Sequence, residues 1–171
     1  MLGLLAEEPR HGFGLAKAMA ADGEIGRVWA LSTPLVYRAL STLQTKGMAT
    51  IAGTERSDLG PQRQLIRPTE EGRASLAGWL SEPVGHVRDT RSLLMLKLAF
   101  IVRSGGDPAP LLRAQEEVFR PVLERFQEQV EEARPGFDRM LMLWRVESVR
   151  AAMAFLARAP EAMLPGAAGR G

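Results

Sequence analysis

One predicted helix has an outer side of hydrogen-bonding and positively charged side chains, which could bind the phosphates or base edges of a nucleic acid. The helix begins at Ser32-Thr33-Pro34, where a hydroxyl residue precedes a proline whose missing N–H costs nothing in the first turn, and it ends at Gly47. Apolar residues at helical spacing, Val36 and Leu40 among them, predict the side that faces a core. The opposite side contains no acidic residue and consists of Tyr37, Arg38, Ser41, Thr42, Thr45 and Lys46.

The positive charge of the chain is concentrated around this helix. The whole chain has a formal net charge of only +2. Residues 27–67 contain six basic and two acidic residues, a local net charge of +4 that leaves −2 for the remainder. Local positive charge attracts a phosphate backbone because binding releases condensed counterions. The distribution of charge therefore permits a nucleic-acid partner that the net charge alone would not indicate.

A predicted β-hairpin follows the helix and adds positive charge. Residues 48–54 and 62–68 predict two strands, and the segment 57–61 between them is rich in turn-forming residues. The two arginines that flank the turn could be ordinary solvent-exposed residues of a hairpin, or they could contact nucleic acid. Because a polar, basic helix precedes the hairpin, contact with nucleic acid is the favoured interpretation. The residues concerned are Arg56, Gln62 and Arg63.

The surrounding elements predict a small domain of four helices and one hairpin. Helices are expected over Met1–Glu7 and His11–Ala21, and the helix-breaking Glu8-Pro9 separates them. Thr69 is expected to cap a fourth helix, whose first turn carries two glutamates. Residues expected to serve structure rather than chemistry are Trp29 and Trp79 in the core and His11 at a helix start.

The second half of the chain predicts helices alone: an apolar segment over Arg91–Arg103, a long helix to about Ala133, and a last helix over about Phe137–Ala159. A helix that is apolar on two sides needs cover on two sides, and in so short a chain a second subunit is expected to supply one cover. Trp144 could also stack a planar ligand at such an interface, although core packing is the simpler interpretation. The two apolar stripes of the last helix are Met140, Leu141, Trp144 and Phe155, and Met142, Val146, Val149 and Met153.

The sequence gives no support to catalysis, metal binding or membrane insertion. It has no cysteine, and its two histidines, His11 and His86, are distant in sequence, so no thiolate or histidine metal site is indicated. No Gly-rich phosphate loop, nucleophile elbow or acid–base histidine set occurs. No segment approaches the roughly 20 apolar residues that cross a bilayer, and no secretion signal is readable. We therefore predict a cytoplasmic protein that is not an enzyme and has no metal or cofactor.

Several short motifs, taken in order, resemble the PadR family of transcriptional regulators. They are Leu2-Gly3-Leu4-Leu5, Pro9-Arg10-His11-Gly12-Phe13, Trp29, Leu31-Ser32, Tyr37-Arg38-Ala39-Leu40-Ser41-Thr42-Leu43, Gly47, Arg63, Arg67-Pro68-Thr69-Glu70-Glu71-Gly72 and Trp79-Leu80. Their order and spacing carry the resemblance, which is close over the first half of the chain. Leu93–Phe100 and the two closing helices are similar, more loosely, to the dimerisation part of the family. The chain departs from the family's pattern at Phe13-Gly14 and at Leu35, where a hydroxyl residue is usual.

The resemblance implies a dimer that places two recognition helices in successive major grooves of double-stranded DNA. It also implies, for many family members, release by a small aromatic or apolar ligand, for which this sequence assigns no residues. Tyr37, Ser41 and Lys46 are assigned to phosphates, and Arg38 or Thr42 to a phosphate or a base edge. The expected DNA contacts are Ser32, Thr33, Tyr37, Arg38, Ser41, Thr42, Lys46, Arg56, Gln62 and Arg63; the expected dimer contacts are Leu94, Leu98, Met140, Trp144, Val149 and Phe155.

We therefore predict a mainly α fold with a small β-hairpin wing, in which a winged helix-turn-helix domain precedes a C-terminal α-helical dimerisation domain. The expected boundaries are 1–82 for the DNA-binding domain, 83–90 for a linker, 91–160 for the dimerisation domain and 161–171 for a disordered tail. The predicted function is that of a homodimeric repressor that binds a pseudo-palindromic operator. The alternative is a ligand-binding or protein-interaction dimer on the same scaffold without tight operator binding, which Leu35 and the low net charge motivate.

Overall fold

The computed structural model describes residues 1–57 and 60–163, without the side chains at positions 56, 57, 60, 61 and 163. Within these ranges the chain forms seven α-helices and one antiparallel hairpin. The predicted mainly α fold with a β-hairpin is thereby confirmed. The contacts divide the chain into two compact units, one made of Met1–Ser81 and Met95–Gly106, the other of Glu82–Leu94 and the described residues from Asp107 onward.

The first unit contains five of the helices and both strands, and its first four helices and the hairpin follow the order that the sequence predicts for residues 1–82. The observed boundaries of these elements lie within three residues of the expected ones, because the caps and turn residues that mark them are local signals. The fifth helix begins four residues after the expected Arg91. The elements are α1 (Leu2–Glu7), α2 (Gly12–Met19), α3 (Thr33–Thr45), β1 (Ala49–Ser57), β2 (Gly60–Pro68), α4 (Glu70–Ser81) and α5 (Met95–Arg103).

The hairpin is tied to the helices at its base. β1 and β2 pair antiparallel, with Ala49 opposite Pro68 and Glu55 opposite Arg63. Arg10, in the connection between α1 and α2, forms a bridge with β2: its N–H donates to the carbonyl of Ile66, and the N–H of Ile66 donates back, both at 3.0 Å. These bonds form a single-residue β-bridge that joins the connection to β2 and fixes the hairpin relative to α2.

The core of the first unit lies between the three amino-terminal helices and the base of the hairpin. Its buried side chains come from every element around it, which is why the inner positions of α3 must be apolar. The central members are Leu4, Leu5, Leu15, Ile25, Val36, Leu40, Ile66 and Phe100.

The two tryptophans predicted for this core have different outcomes. Trp79, on α4, is half-buried and packs against the core, as expected. Trp29 is 40% exposed, so its predicted core position is wrong. It lies in a turn that precedes α3, where its N–H donates to the carbonyl of Ile25, and Ile25 takes the buried place instead.

The helix α5 packs within the first unit, although the predicted boundary places it with the dimerisation helices of residues 91–160. Phe100 lies so close to α1 that a Cβ added at Gly3 would be 2.5 Å from its ring. The Arg103 guanidinium donates to the Glu7 carboxylate at 2.5 Å and to Glu24 at 2.8 Å. The hydrogen bond with Glu7 raises the pKa of Arg103 above its usual value, so this guanidinium stays charged.

The side of α5 that faces α4 carries a buried lysine. The Lys97 ammonium lies 4.5 Å from the centre of the Trp79 ring, and it donates to the Trp79 carbonyl. A cation over an aromatic face is stabilised by the ring quadrupole, which offsets part of the cost of burying the charge. Such contacts join residues far apart in sequence, so helical periodicity could not indicate which unit α5 would join.

The second unit is built on α6 (Ala109–Glu132) and α7 (Phe137–Arg158), which pack against one another. Gly136, at a φ of 128°, lets the chain reverse between them. Before α6, residues 87–89 form a 3-10 turn and residues 90–94 a π-helical turn. Residues 161–163, in the predicted disordered tail, form a 3-10 turn, and 164–171 lie outside the described residues.

The predicted linker, residues 83–90, takes part in the second unit. The Gln115 side chain is fully buried on α6, where its amide accepts from the N–H of Val84 at 2.7 Å and donates to the Val84 carbonyl at 2.8 Å. Both backbone groups of Val84 are satisfied in this way, because a buried polar group without a partner would destabilise the fold. This segment is therefore held by side-chain contacts that its Pro/Gly-rich composition did not reveal.

The two apolar stripes of α7 differ in burial. This difference is what we expect if one stripe packs within the chain and another surface covers the second. Val146 and Val149 are buried within the unit, with Met142 and Met153 half-buried beside them. Met140 and Trp144 remain exposed, and Leu141 and Phe155 are half-buried. The chain thus covers one stripe with its own residues and leaves the other open.

Candidate nucleic-acid interface

The outer side of α3 is exposed, as predicted. Val36 and Leu40 lie in the core on the inner side. Because a helix turns about 100° per residue, the positions between them point outward. The exposed residues on or next to α3 include every predicted DNA contact of this region, namely Ser32, Thr33, Tyr37, Arg38, Ser41, Thr42 and Lys46.

The two ends of α3 are built differently. Ser32 occupies the N-cap, but its hydroxyl makes no capping bond, which differs from the predicted hydroxyl cap. The first N–H groups of the helix are therefore open to another acceptor. At the other end Gly47 has a φ of +70°, and the N–H of Met48 closes the turn on the carbonyl of Leu43 at 2.9 Å.

A groove of about 460 Å³, with both polar and apolar residues in its walls, lies between α3, α2 and β2. The Tyr37 ring lies over Gly12, since a Cβ at position 12 would be 2.5 Å from its Cε1 atom. His11 caps α2, with its Nδ1 accepting from the N–H of Gly14 at 2.9 Å, so its predicted helix-start role is confirmed. The other predicted contacts that line this groove are Ser41, Gln62 and Arg63.

Arg38 and Thr42 lie on the opposite edge of α3. The Thr42 hydroxyl donates to the carbonyl of Arg38 at 2.9 Å. Both residues line a second, mainly apolar cavity next to α1 and α4. The predicted contacts of α3 therefore form two edges of one exposed side: Tyr37 and Ser41 towards the hairpin, Arg38 and Thr42 away from it.

The cations of the predicted interface have no acidic partners among the described residues. Elsewhere in the structure exposed arginines pair within 3 Å, as Arg120 does with Glu116 and Arg150 with Glu147. Arg38, Lys46 and Arg63 have no ion pair of this kind among the residues that the structure describes. The Arg56 side chain lies outside the described residues. Unpaired exposed cations are available to phosphate without the cost of breaking an existing pair.

The residues predicted for dimerisation fall into two groups. Leu94, Leu98 and Val149 are buried within their own units, so they contribute no free surface. Met140 and Trp144 are 59% and 70% exposed, and Phe155 is half-buried. Sequence reasoning missed Phe137, which is 69% exposed one turn before Met140 and which the hydrophobic stripe would have included if extended to the first residue of α7.

Two exposed apolar residues of the first unit, Phe13 and Leu35, lie where the sequence departs from the PadR pattern. Helical spacing predicts Phe13 on the inner side of α2 with Leu15 and Met19, and that prediction is wrong. Phe13 is 62% exposed and stacks on His11, with ring centres 6.3 Å apart. Leu35 is 47% exposed in the first turn of α3. Among the described residues, no group of three histidine or carboxylate side chains is placed to hold a metal ion, and no helix is long and apolar enough to cross a membrane.

The geometry of the first unit defines the class of domain. Three helices, a hairpin bonded to the α1–α2 connection, and a closing helix form a winged-helix domain, in which α3 has the position of the recognition helix and the hairpin that of the wing. Residues 1–78 match the transcriptional regulator PadR-like family. This match covers a little under half of the chain, and it confirms the resemblance drawn from the motifs.

Known proteins resemble the chain at low identity. A protein of Mycobacterium tuberculosis described as a probable transcriptional regulator is 29% identical over 87 residues, which are 51% of this chain and 44% of that protein. The match therefore spans less than half the length of this relative. The crystal structure of Bacillus subtilis PadR in complex with operator DNA is 20% identical, with a TM-score of 0.46 over 92% of this chain and 94% of that chain. A Streptococcus mutans crystal structure is 17% identical, with a TM-score of 0.43 over 94% and 95%.

Proposed function

We propose that this protein is a sequence-specific DNA-binding transcriptional regulator that acts as a homodimer in the cytoplasm and has no catalytic activity. The observation that carries the proposal is the chemistry of α3 and β2, where exposed cations have no acidic partner among the described residues. An unpaired surface cation gains from phosphate contact because counterions are released. The assignment of residues 1–78 to a family of transcriptional regulators supports the same function.

The two edges of α3 support different contacts. Tyr37, Ser41 and Lys46 are assigned to phosphates, because the first two face the groove beside the hairpin. Arg38 is assigned to a base edge or a phosphate, as its guanidinium can donate two parallel hydrogen bonds. The Thr42 hydroxyl already donates to the Arg38 carbonyl, which favours Arg38 over Thr42 as the donor to DNA. Gln62 and Arg63, which line the groove beside the hairpin, are assigned to the sugar-phosphate backbone of DNA. Arg56, on the other strand of the hairpin, is assigned to the same DNA backbone.

The homodimer is supported by the open stripe of α7. Phe137, Met140 and Trp144 are spaced by three and four residues, so they share one side of the helix. Each is more than half exposed. Large apolar side chains clustered on a surface mark an interaction site, and a second copy of α7 offers a surface of the same kind. Leu94, Leu98 and Val149 then serve the packing of each protomer.

A dimer of this kind is expected to repress. If the operator overlaps a promoter, a protein bound across two successive major grooves would block the access of polymerase to that DNA, so exclusion is the simplest effect. A pseudo-palindromic operator follows from the two-fold symmetry of the dimer, with half-sites about one helical turn, roughly 34–36 Å, apart.

The experiment that tests this function is selection of bound duplexes from a random-sequence pool by the full chain. We expect enrichment of a pseudo-palindrome with the spacing given above. Arg38→Ala is expected to lose the enrichment, whereas Arg113→Ala, which removes an exposed arginine from α6, is the matched control and keeps it. Enrichment of a single half-site would contradict the dimer, and no enrichment would contradict the function.

The alternative function is that of a ligand-binding or protein-interaction dimer without tight operator binding. Exposed Leu35 favours it, because a large apolar side chain in the first turn of α3 suits a DNA surface poorly. Salt dependence separates the two functions. The affinity of a DNA-binding protein for duplex falls steeply as salt rises, whereas burial of an apolar ligand changes little.

A further inference from the structure

Leu35 is an exposed aliphatic residue in the first turn of α3, where it is 47% exposed. A single exposed leucine on a protein surface usually needs no explanation. This one lies on the helix that the proposed function places against DNA, on the same edge as Arg38 and Thr42, since the three positions are spaced by three and four residues. In a complex with DNA, such a side chain is stabilised only by an apolar partner.

The first turn of α3 is also the part of the helix that is open to a phosphate. The first hydrogen bond of the helix runs from the N–H of Val36 to the carbonyl of Ser32 at 3.1 Å, so the earlier N–H groups have no acceptor within the helix. The Ser32 side chain makes no capping bond. Free N–H groups of this kind bind anionic oxygens, and recognition helices contact base edges with their N-terminal residues. We therefore expect this turn, including Leu35, to lie at the DNA.

The major groove of DNA offers one apolar group to such a side chain. Hydrogen-bond donors and acceptors line the base edges, and thymine also presents its C5-methyl group there. A leucine next to a phosphate removes water without replacing the lost hydrogen bonds, which favours the alternative function without operator binding. Contact with a methyl group has the opposite effect, because apolar surface of both partners leaves water. Thymine is therefore the base that matches Leu35.

Leu35 is partly packed before any DNA binds. It lines the mainly apolar cavity next to α1 and α4, together with Arg38 and Thr42. A side chain that already packs on one side loses less rotamer freedom on binding than a fully solvated one does. The cavity wall thus limits the orientations of Leu35, which suits a contact as small as one methyl group.

We propose that Leu35 is a specificity-determining residue that contacts the C5-methyl group of a thymine in each half-site of the operator. The inference rests on the proposed function, because it requires α3 in the major groove. Arg38 follows Leu35 by three positions, a rise of about 4.5 Å along the helix, and stacked base pairs are about 3.4 Å apart. The thymine then lies within about two base pairs of the Arg38 contact, for which guanine is the usual base.

The test replaces thymine by deoxyuridine in the selected duplex, at one position of the half-site at a time. Deoxyuridine keeps the base pairing and lacks only the C5-methyl group, so a change in affinity reports the methyl alone. Anisotropy with the full chain should reveal one thymine whose replacement raises the Kd about fourfold in one half-site and about tenfold or more in both, since one buried methyl-sized group contributes about that factor and separate sites add. If no position reaches about threefold, the proposal is wrong.

Substitutions at position 35 assign the effect to this side chain. Leu35→Ser, which introduces the hydroxyl that is usual in the PadR pattern, should bind the thymine and deoxyuridine duplexes equally. Leu35→Met keeps an apolar side chain and should keep a preference of about twofold or more for thymine. Val102→Ser removes an exposed aliphatic side chain from α5 and is the matched control, with wild-type discrimination.

Two results with Leu35→Ser would contradict the assignment. One is wild-type discrimination between the two duplexes, which would show that another group contacts the methyl. The other is a changed oligomeric state in sedimentation velocity, which would assign Leu35 to a contact between protomers.

The outcomes separate this inference from the function on which it rests. If selection enriches no sequence, the proposed function fails and the role of Leu35 fails with it. If selection yields an operator that the wild-type chain binds equally well without any thymine methyl, the role of Leu35 is overturned and the proposed function stands. An enriched operator, a methyl effect at one thymine of each half-site and the loss of that effect in Leu35→Ser would support both.

Discussion

The helices α3 and α7 each expose one full side, and the two sides have opposite chemistry. Beyond Leu35 in its first turn, the exposed residues of α3 are mainly hydroxyls, a tyrosine and cations such as Arg38 and Lys46. On α7 they include Phe137, Met140 and Trp144. Both helices bury a similar inner side of aliphatic residues. The inner sides therefore maintain the fold, and the contrast between the outer sides indicates the kind of partner that each helix would contact.

The contrast has a physical basis. Exposed cations stay hydrated in the free protein, so the outer side of α3 carries little free-energy cost in the absence of DNA. Exposed aromatic and methionine side chains are unfavourable in water and gain only when another surface covers them. The first kind of surface suits a partner whose charge attracts it over a distance. The second kind suits a permanent apolar contact, for which a second copy of the chain is the proposed partner.

The largest effect is expected from Trp144→Glu on α7. A carboxylate buried in an apolar interface is strongly unfavourable, so we expect the protomers to separate and operator affinity to fall by at least about 100-fold. Sedimentation velocity measures the first effect and fluorescence anisotropy the second. Gln127→Glu introduces the same charge at an exposed position of α6 and should leave the dimer intact. A dimer of wild-type stability in Trp144→Glu would place the interface elsewhere.

The next effect is expected from Tyr37→Ala and Arg38→Ala on α3. Each should abolish specific binding, a loss of about 100-fold or more, while the dimer and its thermal stability persist, because both side chains are exposed. Anisotropy with specific and scrambled duplexes measures the loss. Near-normal operator affinity in both variants would contradict the assignment of α3 as the recognition helix.

A smaller effect is expected from Arg63→Gln on the wing. A phosphate contact positions the protein without reading sequence, so the variant should weaken binding to specific and scrambled duplexes by a similar factor. The slope of log affinity against log salt should fall by about one. A loss confined to the specific duplex would show that Arg63 reads a base edge instead.

The smallest effect is expected from Gly47→Ala, which changes the end of α3 and neither exposed side. An alanine at the observed φ of +70° is strained, and we expect the free energy of unfolding to fall by about 1 kcal/mol. Urea titration measures this change. Gly78→Ala, within α4 and with open space around it, is the control and should hold or raise stability. Equal effects at both positions would show that backbone strain at Gly47 does not explain the change.

The sequence predicted the elements of the first unit well because their signals are local. Pro34 and Gly47 mark the ends of α3, and the spacing of Val36 and Leu40 marks its inner side. The same spacing could not show that Arg38 and Tyr37 face two different hollows, since that depends on where α1, α2, α4 and the hairpin pack. The cavity beside Leu35 was beyond sequence reasoning for the same reason.

The second half was harder to predict because apolar helices can pack in several ways. Leu98 on α5 was expected at a dimer interface and is buried in the first unit. Contacts between distant residues, such as the Arg103–Glu7 pair, decide where α5 lies, and periodicity contains no information on them. The open stripe of α7 was predictable because a helix apolar on two sides needs two covers.

The most direct test of the central claim is an anisotropy titration of the full chain with the DNA immediately upstream of its coding region. It is run at about 50 and 200 mM salt, with scrambled duplex as competitor. The proposed interface predicts binding that resists the competitor and that weakens by at least about 100-fold between the two salt concentrations. Binding no tighter than to scrambled DNA, or an affinity that does not change with salt, would contradict it.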